Sequence, residues 1–427
     1  MHRTEASSAT ADGGPPSDRT TPERVLDTAA ALFWEKGYRA TTTRQIAAAV
    51  GIQQASLYYH VRRKEELLYQ VFVSSLEQLL TDVQMAMEGE RDPLDRIRVL
   101  IHAHLSTLLK HQMRHVMMLT DLRALSRPHR AAVLALRKEY ATLVRSALEA
   151  AQAGGKIRTD ISSKCLYLAL LNLLNWAVIW FRKDQALSAD QLASLFTSIY
   201  LNGAAAEPTR VLPALAHAGK ANGKALPKKP KTEKLARRKT WQRLTVAAAA
   251  LFSKKGYGAT STREIAAVLG IQKASLYYHI GSKEDLLYAI CKSSLEQIRQ
   301  DVEAALAEVR DPVERILALV RAHLASMLRD QQEHAVAVSE MHLLSPERFE
   351  QVRSLRDAYD SLVRSVLQEA QSTGALRLDI PAKYLCLSLL GMMNRVEVWY
   401  RRSGPLSPDQ LGQLMGAIFL TGAQAQP

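Results

Sequence analysis

The sequence GIQQASLYYH at residues 51–60 returns, with one residue changed, as GIQKASLYYH at residues 270–279. The offset of 219 residues holds without a gap from the Phe33/Phe252 pair to the Trp180/Trp399 pair. A constant offset over a period this long indicates that a whole domain occurs twice, because solenoid repeats are far shorter. Each copy is therefore expected to have its own hydrophobic core.

Length and charge are consistent with two domains joined by a basic connection. A chain of 427 residues is long enough for two or three domains, and the repeat favours two. The net charge is +14, and the segment Glu207–Lys239 holds ten Lys or Arg residues against two Glu. Its prolines and glycines predict a linker. The basic residues of such a linker either contact nucleic acid or only keep the linker soluble.

Several features predict a soluble intracellular protein without a membrane partner. The cysteines Cys165, Cys291 and Cys386 do not occupy matching positions in the two copies, which argues against a disulfide or metal framework. Residues 1–20 are polar, lack an apolar signal segment and are expected to be disordered. No run of 18 apolar residues occurs in the chain.

Helical spacing of apolar residues dominates both copies, which predicts an all-α fold with about nine helices in each. Thr21-Pro22 begins the first helix and Gly37 ends it. The segment Thr42–Gln45 is a capping box, and it recurs as Ser261–Glu264. A short helix over 54–60 and another from Lys64 follow in the first copy.

Residues 42–60 match a helix-turn-helix, whose second helix enters the DNA major groove. Leu57 is expected to face inward, onto Ile46 and Phe33. The other side chains of the short helix are then free to meet DNA, where tyrosine hydroxyls and histidine suit phosphates and Gln suits adenine. Lys64 lies at a helix start that also suits a phosphate.

These motifs resemble the N-terminal signature of TetR-family regulators, in both copies. Across residues 25–69 and 244–288, 29 of 45 positions are identical. The resemblance implies phosphate contacts at Thr43, Tyr58, His60 and Lys64, and groove contacts at Arg44, Gln53, Gln54, Ala55 and Tyr59. The full predicted DNA-binding set is Thr42, Thr43, Arg44, Gln53, Gln54, Ala55, Ser56, Tyr58, Tyr59, His60, Lys64, Ser261, Thr262, Arg263, Gln272, Lys273, Ala274, Ser275, Tyr277, Tyr278, His279 and Lys283.

The chain departs from the family pattern at three places. Gln53 and Gln272 stand where the family has a capping Ser, and Val61 and Ile280 replace an aromatic residue. The first copy also has Arg63 where the second keeps the capping Ser282. These changes bear on base preference and on local helix stability.

Beyond the helix-turn-helix, polar residues recur within apolar helices. They are either satisfied core residues or the lining of a ligand cavity. The predicted ligand set is His104, His115, Tyr140, Asn175, Trp180, His323, His334, Tyr359, Asn394 and Trp399. The pattern around Asn175, Trp180 and Asp92-Pro93 is similar to the family branch that senses acyl-CoA thioesters. No metal, cofactor or catalytic motif is present, so an enzyme is not expected.

The composition and the resemblance together predict six segments: a disordered 1–20, a DNA-binding domain at 21–68, a ligand-binding and dimerisation domain at 69–206, a linker at 207–239, and the second pair of domains at 240–287 and 288–425. The resemblance also implies a bacterial cytoplasmic, nucleoid-associated regulator of a double-stranded DNA operator. The expected mechanism is a repressor that a small molecule releases from DNA.

Family members act as homodimers on palindromes. Here the two copies either pair within one chain as a pseudo-dimer, which we favour, or pair with a second chain as a homodimer with four heads. Because Gln54 corresponds to Lys273, we expect half-sites that differ mildly. Two further alternatives stay open: a ligand-independent DNA-organising protein, and a sensor in which one copy no longer binds DNA.

Overall fold

The computed structural model describes residues 21–61, 63–118, 122–182, 187–203 and 235–422, and no strand occurs among them. The predicted disordered segment 1–20 lies outside the described residues, as does most of the predicted linker, 207–234. The described residues form two all-helical copies, as the sequence pattern predicted.

In the first copy, nine α-helices and one 3₁₀-helix are described. They are α1 (Thr21–Lys36), α2 (Thr43–Val50), α3 (Gln54–His60), α4 (Lys64–Met87), α5 (Pro93–Lys110), α6 (Gln112–Met118), the 3₁₀-helix Leu122–Ala124, α7 (Arg127–Ala153), α8 (Ser163–Trp180) and α9 (Ala189–Asn202).

The second copy repeats this order with one more helix. It comprises α10 (Leu235–Lys255), α11 (Thr262–Leu269), α12 (Lys273–His279), α13 (Lys283–Leu306), α14 (Pro312–Arg329), α15 (Gln331–Glu340), the 3₁₀-helix Met341–Leu343, α16 (Pro346–Ser372), α17 (Ala382–Met393), α18 (Val396–Trp399) and α19 (Pro408–Thr421).

The extra helix corrects the expectation of matching helices. The counterpart of α8 is broken between α17 and α18, at Arg395, whose φ is +98°. Arg395 is the one described non-glycine residue with positive φ, and such a backbone costs roughly 1 kcal/mol or more. The sequence did not predict this break, because Arg is an ordinary helix former.

The last residues of the predicted linker are helical in the structure. Residues 235–239, the last five of the segment assigned to the linker, are helical and belong to α10. The linker prediction depended on proline and glycine, and the last of these before α10 is Pro230. The residues from Leu235 onward are Leu, Ala, Arg and Lys, which favour helix.

The hydrophobic side chains form two small cores and one large core. One small core lies in each helix-turn-helix domain, called the head below. The core of the first head includes Phe33, Ile46 and Leu57. The large core joins the remaining helices of both copies into one body. Helix α4 contributes Leu67 to the first head and Leu79 to the body, so this single rod connects the two.

Contacts between the copies centre on α8 and α17, with α9 packing on α19. The side-chain amide of Asn172 donates to the Met392 carbonyl across this bundle, at 3.1 Å. Arg158 donates to the Thr421 hydroxyl at 2.8 Å, and its counterpart Arg377 donates to the Ser198 hydroxyl at 2.8 Å. The two copies are therefore related by approximate two-fold symmetry within one chain.

Gly203 and Gly422 lie against each other at the ends of α9 and α19. Their φ angles are +81° and +74°. A Cβ atom added to Gly203 would lie 2.3 Å from the Leu420 carbonyl oxygen, and one added to Gly422 would lie 2.1 Å from the Leu201 carbonyl oxygen. Glycine is required at both positions, by backbone angle and by space.

Among the described residues, one helix has the length and apolar composition to cross a membrane, namely α8 (Ser163–Trp180). Half of that segment is buried inside the protein, where α8 packs on α17. A core helix with two buried sides has the same composition as a membrane span, so the packing accounts for its apolar character.

Candidate nucleic-acid interface and effector cavity

The first helix-turn-helix is set by local signals that the sequence predicted. The Thr42 hydroxyl accepts from the Gln45 backbone N–H and the Gln45 side chain accepts from the Thr42 N–H, which completes the capping box. Gly51 ends α2 in the left-handed conformation, with φ +79°. Leu57 is fully buried in the same core as Phe33 and Ile46, so that prediction is confirmed.

Burying Leu57 leaves a polar surface along α2 and α3. In the first head the exposed members of the predicted set are Thr42, Arg44, Gln53, Gln54, Ala55, Ser56 and Tyr58, while Thr43 is partly exposed. The side chains of Tyr59 and His60 lie outside the described part of the structure. The second head exposes Ser261, Arg263, Gln272, Lys273, Ala274, Ser275, Tyr277 and Tyr278, with Thr262 and His279 partly exposed.

A hydroxyl pair links the two helices of each head. The Tyr58 hydroxyl lies 3.1 Å from the Thr43 hydroxyl, and Tyr277 lies 3.2 Å from Thr262 in the same way. Hydrogen bonds with Thr43 and then with Gln54 lower the pKa of the Tyr58 phenol. The pair stands at the N-terminus of α2, where free N–H groups suit an anion such as a DNA phosphate.

Lys64 and Lys283 make contacts that the sequence did not predict. The Lys64 ammonium donates to the Tyr38 and Thr41 carbonyls, each at 2.7 Å, and to the Arg39 carbonyl at 3.3 Å. Lys283 donates to the Tyr257 and Thr260 carbonyls. Burial lowers the pKa of both lysines. In this structure they close the turn after the first helix of each head, and a phosphate contact requires these bonds to be exchanged.

The heads differ at the start of their fourth helices, as the sequence predicted. Ser282 forms a capping box with Asp285, whereas Arg63 provides no side-chain cap for α4. They also differ at the groove-facing position. Lys273 places its ammonium 5.5 Å from the centre of the Tyr277 ring, while Gln54 bonds to Thr43.

A cavity of about 360 Å³ lies inside the body of the first copy. Its walls come from α4, α5, α6, α7 and α8, and also from the second copy through Arg395, Val398 and Trp399. The described residues that line it are Leu76, Leu79, His104, His115, Leu122, Arg137, Tyr140, Tyr167, Leu168, Leu171, Asn172, Asn175, Val178, Arg395, Val398 and Trp399.

The cavity brings together half of the predicted ligand set. His104, His115, Tyr140, Asn175 and Trp399 line it, whereas Trp180, His323, His334, Tyr359 and Asn394 do not. His104 Nδ1 lies 2.5 Å from the Tyr140 hydroxyl, and His323 Nδ1 lies 2.6 Å from the Tyr359 hydroxyl. Burial lowers the pKa of His104 and of His115 to about 3, so both imidazoles are neutral at neutral pH.

Two arginines give the cavity its positive charge. Burial and then the nearby Arg395 lower the pKa of Arg137 to about 10, so the Arg137 guanidinium stays charged at neutral pH. The described lining residues include no carboxylate, although the buried Glu397 interacts electrostatically with Arg395 from outside the cavity. A largely apolar chamber with two arginines in its wall suits a ligand with an apolar body and an anionic group.

Sequence reasoning missed Arg137 and Arg395 as lining residues. The signal available in the sequence was Arg395. It lies within the apolar segment 382–400, at the position equivalent to Trp176 of the first copy. The cavity has no close equivalent by sequence in the second copy. There Glu397 replaces Val178 and Gly391 replaces Asn172, and a Cβ added at Gly391 would lie 3.4 Å from the Cβ of Trp176.

Comparison with known proteins agrees with this architecture. Two family models match the chain, each of them twice. "Bacterial regulatory proteins, tetR family" matches residues 25–71 and 244–290, and "Tetracyclin repressor-like, C-terminal domain" matches residues 90–204 and 309–423.

Individual relatives match one copy at a time. The HTH-type transcriptional repressor KstR2 of Rhodococcus jostii is 29% identical over 197 residues, which is 45% of this chain and 97% of KstR2. KstR2 of Mycobacterium tuberculosis is 28% identical over 180 residues, 42% of this chain and 90% of that protein. Among solved structures, the TetR-family regulator PfmR of Thermus thermophilus is 32% identical with a TM-score of 0.40, covering 42% of this chain and 98% of PfmR.

Both halves of the family's architecture, the helix-turn-helix head and the helical body, are therefore present twice, at the residues where the structure places them. The chain belongs to the tetR family of bacterial regulatory proteins, as a tandem member with two complete copies in one polypeptide.

Proposed function

We propose that this chain is a transcriptional repressor that binds one operator through its own two heads and leaves it when an anionic, amphipathic effector fills the cavity. The observation that carries the proposal is the shared cavity, because residues of both copies line one chamber beneath the heads. Regulation rather than catalysis is the proposed activity, in the bacterial cytoplasm. The relative KstR2 is named a transcriptional repressor.

The packing between copies supports a single-chain pseudo-dimer. A homodimer of this family needs two bodies to present two heads. Here α8, α9, α17 and α19 supply both faces of that bundle, and their apolar side chains belong to one core. The tether adds an effective concentration on the order of millimolar, which favours pairing within the chain over pairing between chains.

The two heads support binding to DNA in the manner of the family. Each presents a polar recognition helix, α3 or α12, whose buried Leu57 or Leu276 fixes its orientation. The residues proposed to contact DNA are those predicted from the sequence, with Lys64 and Lys283 acting first as supports of the turn. Because Gln54 and Lys273 differ, the operator is proposed to have two mildly different half-sites.

An acyl-CoA thioester is the effector class that we propose. The apolar lining, with Leu76, Leu79 and Leu171, suits an acyl or polycyclic body, and the volume of about 360 Å³ lies in the range of small-ligand sites. The phosphates of the coenzyme A group would meet Arg137 and Arg395, because guanidinium groups bind phosphate through paired hydrogen bonds.

Helix α4 gives a physical route from effector to DNA. It begins at Lys64 in the head and passes the cavity at Leu76 and Leu79. A ligand that moves this part of α4 also moves the head, because the helix is a rigid rod with a rise of about 1.5 Å per residue. The ligand releases DNA if it binds better to the arrangement of heads that does not fit the operator.

Footprinting on DNA that flanks the chain's own gene, with and without a panel of acyl-CoAs, tests the proposal. We expect one protected site with two half-sites, and loss of protection with one class of thioester. Light scattering in the same buffer should give a mass near 47.4 kDa. A mass of twice that value contradicts the pseudo-dimer. Salt-sensitive binding without sequence preference or effector response would favour the DNA-organising alternative instead.

A further inference from the structure

The first head touches the body of the second copy through an aromatic stack. The Trp34 ring, on α1, lies parallel to the imidazole of His342, with ring centroids 4.3 Å apart and an angle of 14° between the planes. His342 belongs to the 3₁₀-helix Met341–Leu343, which follows α15. Beside the stack, a Cβ atom added to Gly37 would lie 3.4 Å from Leu343 Cδ2, so the backbone of the first head is also close.

The same side of the first head approaches the second head. A Cβ atom added to Gly258, in the turn between α10 and α11, would lie 3.9 Å from Arg39 Cδ. Burial lowers the pKa of Lys283, and Glu340 opposes this effect. The positive charge of Arg39 lowers the same pKa further. The first head therefore contacts both the body and the head of the other copy.

The residues that make the stack are not repeated on the other side of the pseudo-two-fold axis. The residues at the equivalent positions are Ser253 for Trp34, Arg123 for His342 and Ala124 for Leu343, whereas Arg39 and Gly258 are each other's equivalents and meet at the axis. A homodimer cannot have such a difference, because both of its subunits carry the same residues. The duplication allows one side to hold a stack that the other side cannot form from its own residues.

His342 suits a fixed contact. Burial lowers its pKa to about 4, so the imidazole is neutral at neutral pH and stacks on Trp34 without a charge to solvate. Trp34 in turn packs against both the first head core and the body core. The pair therefore connects two rigid units directly, and does not depend on the linker.

We propose that Trp34 and His342 determine the operator spacing that this chain selects, by fixing the distance and rotation between its two recognition helices. The inference rests on the proposed function, since it assumes that both heads bind one operator. One added base pair moves a half-site by about 3.4 Å and rotates it by about 34° around the DNA axis. Heads held by a stack tolerate such a change poorly, whereas heads joined only by a hinge accept it.

The first arm of the test measures the heads without DNA. Spin labels at Ala48→Cys and Ala267→Cys report the distance between α2 and α11, because both alanines are exposed and the native cysteines are buried. We expect a narrow distance distribution in the parent. Trp34→Ser, which installs the residue of the second copy, and His342→Ala should both broaden it. Trp34→Phe, which keeps an aromatic ring, should restore it.

The second arm uses the footprinted operator with its half-sites moved apart or together by one and two base pairs. We expect the parent to prefer one spacing by about tenfold or more, and Trp34→Ser and His342→Ala to reduce that preference to about threefold or less. Leu26→Ala is the matched control. It removes a partly buried side chain of the first head core from the same helix, so it lowers stability and should leave the spacing preference unchanged.

The proposal is overturned if Trp34→Ser and His342→Ala keep both the narrow distribution and the spacing preference. It is also overturned if Leu26→Ala changes them as much as Trp34→Ser does, since general destabilisation then explains the effect. If the parent selects no operator, the proposed function fails and the spacing proposal fails with it. The distance arm then still shows whether the stack holds the heads.

Discussion

Arg137 of the first copy and Arg395 of the second face one cavity, close enough for the charge of Arg395 to lower the pKa of Arg137. Like charges held together in a partly desolvated chamber repel each other, so an anion between them is favoured. Because each copy supplies one of the two, the anion would also join the copies. This pair is the part of the cavity that a single copy could not provide.

Replacing Arg395 with Asn should weaken effector binding by about 10- to 100-fold, which corresponds to the loss of one charge-assisted hydrogen bond. Asn tolerates the positive φ at this position better than most residues, so the backbone should remain in place. Calorimetry with the effector found by footprinting gives the affinity. DNA binding without effector should not change. The exposed Arg401→Met is the control, and an equal loss there would show a general charge effect.

Acid should destabilise the protein below about pH 6.5. Burial lowers the pKa of His104, His115 and His323 to about 3, and of His334 and His342 to about 4. The unfolded chain takes up protons near pH 6.5, whereas the folded chain does not until the pH is far lower. Stability is therefore present above pH 6.5 and is lost as the pH falls from there towards 4 and 3.

The loss should reach up to about 1.4 kcal/mol per pH unit for each of these histidines. Urea unfolding at pH 7.5, 6.0 and 5.0 measures it. His104→Gln should reduce the pH slope, because it removes one of the buried imidazoles. A stability that stays constant between pH 7.5 and 5.0 would contradict the burial of neutral imidazoles.

Gly203→Ala should destabilise the body by about 3 kcal/mol, because the new Cβ meets the Leu420 carbonyl oxygen and the backbone has positive φ. Gly89→Ala separates the two causes. Gly89 has φ +79° but no atom within 4 Å of an added Cβ, so only the backbone cost of about 1 kcal/mol applies. Urea unfolding midpoints compare the two variants. Equal losses would mean that the ends of α9 and α19 are not in contact.

Gln54→Lys should make the first head prefer the half-site of the second. Lys pairs with guanine and Gln with adenine, and each such contact discriminates by about 1–3 kcal/mol. Competition binding with operators that carry two first-type or two second-type half-sites measures the change. The reverse variant, Lys273→Gln, should shift the preference in the opposite direction. Unchanged half-site preference in both variants would exclude this position from base recognition.

Local sequence signals predicted the heads well. The capping boxes, the left-handed Gly51 and the missing cap at Arg63 follow from a few neighbouring residues, and the structure has all of them. The turn-closing role of Lys64 was not predictable, because its carbonyl partners lie in the turn after α1, more than twenty positions earlier in the chain.

Two features that the sequence did not predict involve contacts between the copies. The helix break at Arg395 places its side chain in the cavity of the first copy, and no propensity of residues 390–400 requires that conformation. The Trp34–His342 stack likewise joins residues that only the pairing of the copies brings together. A pattern within one copy cannot show a contact made by the packing of two.

The meeting of Gly203 and Gly422 has a consequence for the order of the chain. The first copy's last described glycine and the second copy's last described glycine occupy equivalent places beside the axis. A connection from 422 to the first head must therefore span about the same distance as the existing connection from 203 to the second head. A circular permutant can be opened between 203 and 235 and rejoined from 422 to 21 with the same linker. We expect it to fold to the same pair of copies, because the fold does not depend on which copy is translated first.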